Sequence, residues 1–249
     1  MSGPDSYFDK PADKQMARAV AEGDVPTIER LLETGEVEPL TVGRDATSWL
    51  SIAVAARQKK SLDTLLEHGA LGDPKGKIAG QALYAATLLD DLYWLERLHA
   101  AGADLNNYGG GDLLLEVAVD TRNRKTLDFY LEHGARLDMP SSVGGSVALS
   151  TAQARRFDLV NEFLDRGASP WVMDSFGTTL GFTAERAGSV PAWDHRSPMN
   201  KERLLLLERL HAIGFPKPAP TPDEGHALRE AGKWPPPNAP KTAPRPQRP

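Results

Sequence analysis

The side chains best suited to acid–base, nucleophilic or metal chemistry in this 249-residue chain are six histidines, His68, His99, His133, His195, His211 and His226; there is no cysteine. No two histidines stand three or four residues apart, the spacing that sets two imidazoles on one helix face around zinc. The lack of cysteine removes thiolate ligands, thiol nucleophiles and disulfides, and leaves the redox compartment open. A Ser-His-Asp set is defined by geometry, but no Gly-x-Ser-x-Gly elbow supports one here. The run from Asn106 to Asp112 holds Gly109, Gly110 and Gly111. It lacks the Lys-Ser/Thr or the spaced glycines of a phosphate cradle. These observations nominate no catalytic residue, no metal site and no cofactor, and the chain is expected not to be an enzyme.

The placement of the histidines points elsewhere. His68 and His133 immediately precede a glycine, and His99 and His211 stand three before one. Recurrence at equivalent places is what a structural repeat imposes. Glycines fall at 35, 69, 102, 134 and 167, in steps of 34, 33, 32 and 33 residues. A period that regular is the mark of a repeat architecture.

Each copy has a physical reason for its pattern. The positions seven, four and three before the glycine are large and mostly apolar, as in Ile28, Leu31 and Leu32, or Leu127, Tyr130 and Leu131. That spacing lies on one helix face, which must be buried. The glycine then ends the helix in a left-handed turn. A first helix precedes each second one, with Ala and a larger residue sixteen and nineteen before the glycine: Ala19 and Met16, Ala53 and Leu50, Ala86 and Leu83, Ala118 and Leu115. In the fifth copy Ala152 and Leu149 lie one position off, which predicts an inter-helix turn one residue shorter. Asp24 followed by Pro26 reads as an N-cap and first turn.

Two antiparallel helices per 33-residue unit, with corners such as Gly102-Ala103-Asp104, Gly69-Ala70 and Gly134-Ala135, resemble the ankyrin repeat. The Thr-Pro-Leu-His opening of a consensus repeat is nowhere intact; Ser48-Trp49-Leu50 and Thr178-Thr179-Leu180 stand in its place. The resemblance implies an all-α fold, an ankyrin-repeat solenoid of about six helix pairs with a Pro-rich C-terminal extension.

Along the chain, residues 1–12 are a polar lead-in with Tyr7 and Phe8 capping the first pair, and 13–215 are the repeats. The sixth copy is longer than the rest, and the surplus is assigned to an insertion at 188–200. Trp193 within it either joins a binding surface or folds down to close the apolar end. Residues 216–249 hold eleven prolines, more than packed helix pairs accept. Residues 216–237 are expected to close the last repeat, with a helix over 223–231 and Trp234 as anchor, and 238–249 to be disordered. The stretch 216–249 carries +3, which leaves −8 of the net −5 on the preceding residues. That balance argues against nucleic acid, and no apolar run is long enough to span a membrane.

The resemblance extends to bacterial ankyrin proteins exported as lipoproteins, often encoded beside lipase-type effectors of type VI secretion and acting as their immunity proteins. It implies a monomeric, non-catalytic binder of one specific protein, a secreted toxin. The alternative is a generic ankyrin scaffold or stress-related protein without a toxin partner. As written the chain reads as cytoplasmic; it is periplasmic if a natural export signal has been removed. Loop tips and inner-helix turns nominate Arg44, Trp49, Asp90, Asp91, Tyr108, Asp112 and Trp171 as partner-binding residues. For Tyr108 the competing reading is a simple turn; for the acidic and aromatic cluster around Asp90 and Asp91 it is solvated acids beside a Trp94 packed in the stack.

Overall fold

Each helix pair closes at a glycine whose backbone turns left-handed. In the computed structural model, which describes residues 3–246, φ is +71° at Gly35, +76° at Gly69, +103° at Gly102, +87° at Gly134, +94° at Gly167 and +84° at Gly214. A Cβ added at any of the six would meet nothing within 4 Å. The torsion angle alone therefore asks for glycine. The chain divides into two compact units, Met1–Ala135 and Arg136–Pro249.

In the first unit α1 (Pro11–Glu22) pairs with α2 (Val25–Glu33), α3 (Trp49–Ala55) with α4 (Lys59–Glu67), α5 (Lys77–Thr87) with α6 (Tyr93–Ala100) and α7 (Leu114–Asp120) with α8 (Arg124–Glu132). The first helices also pack in succession, α1 on α3, α3 on α5 and α5 on α7. Local sequence starts these helices. Asp24 accepts from the Thr27 amide, and Ser48 and Ser51 cap each other's backbone at the head of α3. The face seven and four before each glycine is buried as expected: Ile28, Leu31, Leu62, Leu65, Leu95, Leu98 and Tyr130 are 0% exposed. Each aliphatic side chain so buried contributes roughly 1.5–3 kcal/mol. The position three before the glycine is only half-buried at Leu32, Leu66, His99 and Leu131, so the buried stripe is narrower than the sequence pattern suggests.

Polar side chains stitch neighbouring repeats of this unit. Ser61 donates to the Val20 carbonyl at 3.0 Å, and the Thr87 and Tyr130 hydroxyls share a 2.6 Å hydrogen bond. Burial pushes the Tyr130 phenol well above its ordinary range. Asp63 accepts from Tyr93 Oη at 2.8 Å and Arg97 Nε at 2.7 Å. Between α6 and α7 a hairpin of β1 (Tyr108–Gly109) and β2 (Asp112–Leu113) turns through Gly110 and Gly111. The histidines before Gly69 and Gly134 are helix-end residues, with Nδ1 2.9 Å from the Thr64 carbonyl for His68 and 2.8 Å from that of Phe129 for His133.

The second unit holds α9 (Val147–Gln153) with α10 (Phe157–Asp165), α11 (Leu180–Gly188) with α12 (Pro198–Ala212), and α13 (Pro222–Glu230). Its first pair corrects one expectation. The α9–α10 turn, 154–156, is as long as the 56–58 and 121–123 turns of the first unit, and Ala148 and Thr151 are buried in the regular register. The small Thr151 fills the alanine position, so nothing is shortened. Ser197 caps the Asn200 amide and starts α12 at Pro198, which reduces the 188–200 insertion to a 189–197 loop. Trp193 folds down from that loop onto Phe157, edge to face at 6.0 Å, and its Nε1 donates to Asn200 at 2.8 Å.

The Pro-rich extension also departs from expectation. Trp234 anchors it, donating to the Trp171 carbonyl at 2.9 Å and packing on Phe215. Residues 238–246, expected to be disordered, are held in place; 247–249 lie outside the described residues. Ala243 is fully buried, Trp171 Nε1 donates to the Pro240 carbonyl at 2.7 Å and Arg245 reaches Asp165 at 2.7 Å. The reason lies in Arg209, a buried guanidinium whose donors need acceptors that this segment supplies.

Candidate protein-binding surface

The seven nominated residues divide sharply by burial. Trp49 is 0% exposed, stacks on Phe8 at 4.4 Å and donates Nε1 to the Glu38 carbonyl at 3.0 Å. Trp171 is 6% exposed and stacks on Phe215 at 5.1 Å. Both are core residues, because an indole with its N–H satisfied is most favourably placed out of water. Neither presents a surface to a partner, and their nomination is corrected.

The other five are on the surface, all in the first unit. Arg44 is exposed, donates to the Ser6 carbonyl and lies 4.0 Å from Asp9, so it fastens the 44–46 loop to the lead-in. Asp90 and Asp91 share the turn between α5 and α6, and Tyr108 and Asp112 share the hairpin. The hairpin rests on α5: a Cβ on Gly80 would come within 2.2 Å of the Tyr108 carbonyl oxygen, and one on Gly110 within 2.8 Å of the Tyr84 ring. Close approach requires glycine at Gly109 and Gly110, and a φ of +98° in open space favours it at Gly111, which gives the run its structural reason.

The acidic cluster is not a bare negative patch. Lys59 Nζ lies 2.8 Å from Asp91 and 4.2 Å from the Tyr93 ring centroid, and Asp90 accepts from Asn123 Nδ2 at 3.3 Å. The Lys59 hydrogen bond, with the Tyr93 amide, holds the Asp91 carboxyl below its ordinary range. Trp94 is packed at 2% exposure. The turn presents paired charges, with Asp91 already engaged.

A second set of residues was missed in the sequence. Arg57, Arg122 and Arg155 stand twelve before Gly69, Gly134 and Gly167, at inter-helix turns, all exposed, with φ of +57°, +57° and +61°. In the first repeat the same register position is Gly23, at φ +79°. A non-glycine residue held left-handed costs about 1–3 kcal/mol. The available signal was the column Gly23, Arg57, Asp90, Arg122, Arg155 read down the repeats. Asp45 and Ala46, at +55° and +57°, add two consecutive left-handed residues in the 44–46 loop.

That loop overhangs a cavity of about 460 Å³ in the first unit. Ala21, Ala55, Ala56 and Ala85 line it together with Tyr7, Tyr84, Gln81 and Asp45. In the second unit, Ala152, Phe182, Arg155 and Arg186 are among the residues lining a smaller cavity of about 290 Å³.

Stacked helix pairs of this length, each closed by a left-handed glycine and joined by short hairpins or loops, define the ankyrin-repeat fold. The chain has that fold. Among solved structures it is similar to the ankyrin repeat domain of Bcl-3, a member of the IkappaB protein family, with a TM-score of 0.60 and 22% identity over 89% of this chain and 98% of that one. No protein-family model matches the chain. It is 30% identical over 159 residues to Protein PhlB of Serratia liquefaciens, which covers 61% of this chain and 66% of that protein. It is 26% identical over 162 residues to an L-asparaginase of Dirofilaria immitis, 65% of this chain and 27% of that protein. The chain thus spans about a quarter of one curated relative and just under two thirds of the other. Among the described residues no helix is long and apolar enough to cross a membrane.

Proposed function

We propose that this protein is a non-catalytic inhibitor that binds one specific protein, a secreted bacterial toxin of the lipase type, and covers its active-site entrance. The single observation that carries the binding part is the exposed Arg57 and Arg122, held left-handed where glycine serves in the first repeat. Strain that folding does not need is retained most readily where a side chain is used for recognition. The toxin part is supported by the resemblance to exported bacterial ankyrin proteins, and export to the periplasm belongs to the same reading. An inhibitor of this kind works by occlusion and needs no reactive group.

The test co-expresses the chain with the lipase-type protein encoded nearest to its gene, and measures co-purification and lipid hydrolysis. Stoichiometric capture with loss of hydrolysis is expected, weakened by replacing Arg57 and Arg122 with Asn. Capture of no such enzyme, or capture without inhibition, would favour the scaffold reading.

A further inference from the structure

The cavity of about 460 Å³ in the first unit has walls, a floor and a rim of different chemistry. Its floor is small and apolar, made by Ala21, Ala55, Ala56 and Ala85 from α1, α3, the α3–α4 turn and α5. Two tyrosines, Tyr7 from the lead-in and Tyr84 from α5, line it, and neither hydroxyl has a hydrogen-bond partner among the described residues. Among the described residues that line it, the only ionisable group besides these phenols is Asp45. Its exposed carboxylate has no ion pair or hydrogen bond among the described residues. The rim is held there against its own preference: Arg44 ties the loop to the Ser6 carbonyl, and Asp45 and Ala46 are both left-handed. The hairpin backbone lies close beside Tyr84, since a Cβ on Gly110 would come within 2.8 Å of its ring.

Aromatic rings, a lone carboxylate and an alkane-like floor together suit one kind of side chain. A guanidinium can lie against a tyrosine face, donate to a carboxylate and to phenol oxygens, and lay its methylenes on alanines. An ammonium would satisfy the charge but not the planar stacking. A carboxylate or phosphate would face Asp45 with no cation among the described residues that line the cavity. The volume is within the range of pockets that take a small ligand or a short piece of chain.

We infer that this cavity receives an arginine side chain presented by a loop of the protein partner, with Asp45 as its counter-ion and Tyr7 and Tyr84 as its walls. The inference rests on the protein-binding reading and adds to it the chemistry of one contact. Charge complementarity selects the occupant, because Asp45 supplies the one formal charge among the described residues that line the cavity.

The test uses the full chain labelled for amide NMR and three capped tripeptides, Gly-Arg-Gly, Gly-Lys-Gly and Gly-citrulline-Gly, citrulline being the neutral counterpart of arginine. Saturable shifts at residues 45–47, 52, 56 and 85 are expected from the arginine peptide, smaller ones from the lysine peptide and none from citrulline. Asp45→Asn keeps a residue that tolerates the left-handed region and should weaken the arginine peptide by about ten-fold. Ala55→Leu fills the floor and should abolish the shifts. Equal responses to arginine and citrulline, or no saturable response up to the solubility limit, would overturn the inference. Partner capture by the Asp45→Asn protein separates the two readings: undiminished capture with no arginine response rejects the cavity and leaves the binding module standing, while no capture by the parent rejects the module itself.

Discussion

Arg209 in α12 is fully buried, and its Nε donates to the carbonyl of Ala243 at 2.7 Å, 34 positions further along the chain. The same guanidinium donates to the Asn161 carbonyl at 3.0 Å and pairs with Asp165 at 3.0 Å. Burial pushes it below the ordinary arginine range, opposed by the Asp165 charge. A buried cation is tolerated only when it is paired and hydrogen-bonded, so residues 240–245 complete the interior of the second unit. Removing 238–249 should therefore lower the stability of that unit by about 3 kcal/mol, the scale of a buried donor and an indole N–H left unsatisfied. Urea unfolding of the truncated chain measures it, and an unchanged midpoint would show that the segment holds nothing.

Asp165 should contribute to the pH response of that unit. Burial raises its pKa, but the Arg245 hydrogen bond and the charges of Arg209 and Arg245 outweigh this and hold the carboxyl below its ordinary value of 3.8. A carboxylate depressed in the folded state stabilises fully above its unfolded pKa, and that contribution is lost as pH falls through the folded value. Stability should thus be flat with respect to this group from neutral pH to about 4.5 and fall below it. Asp165→Asn should lower stability at neutral pH and remove part of the acid slope. An identical slope in the variant would assign the acid sensitivity to other carboxylates.

The docking of α13 depends on two glycines meeting backbone to backbone. A Cβ on Gly225 would lie 2.2 Å from the Gly177 carbonyl oxygen, and one on Gly177 would lie 2.1 Å from that of Pro222. Gly225→Val should displace α13 and cost about 2–3 kcal/mol, with faster amide exchange confined to 222–230 and its neighbours. Exchange unchanged across α13 would mean that the helix is held by Arg229, which donates to the Asp174 and Ser175 carbonyls, and not by this contact.

Relieving the left-handed arginines should separate stability from recognition. Arg57→Gly and Arg122→Gly each remove a side-chain penalty of about 1–2 kcal/mol and add a chain-entropy cost of about 0.5–1 kcal/mol. A net gain of about 0.5–1 kcal/mol per site is expected, together with weaker capture of the partner. More stable variants that bind as well as the parent would remove these arginines from the interface.

Much of the architecture was legible because its determinants are local. Apolar residues at fixed offsets from a glycine define a helix face, and Asp24 caps a helix three residues from the amide it binds. What escaped was set by contacts between distant residues. Nothing beside Trp171 announces that its N–H will meet Pro240, 69 residues away, and an aromatic in a loop reads equally well as a contact or as core. Trp49 failed for the same reason. The tail's composition predicts disorder, yet Pro240 on Trp171, Ala243 on the buried Arg209 and Arg245 on Asp165 fix its course. Asp45 was not nominated from the sequence, because the cavity beneath it is built from three helices that sequence does not bring together. The left-handed arginines were hidden because torsional preference, read alone, would place glycine or asparagine at those turns.

The six glycines that close the helix pairs have open space where a side chain would stand, which makes their occupancy a matter of handedness. An L-residue there crowds its own carbonyl, whereas its mirror image finds the same torsion angles relaxed. A chain assembled by chemical ligation with D-alanine at Gly69 or Gly134 would keep the turn and restrict the unfolded polypeptide, gaining about 0.4–1 kcal/mol per site. The ribosome cannot insert that residue, so glycine, the one achiral amino acid, stands in the chain at each of these six turns.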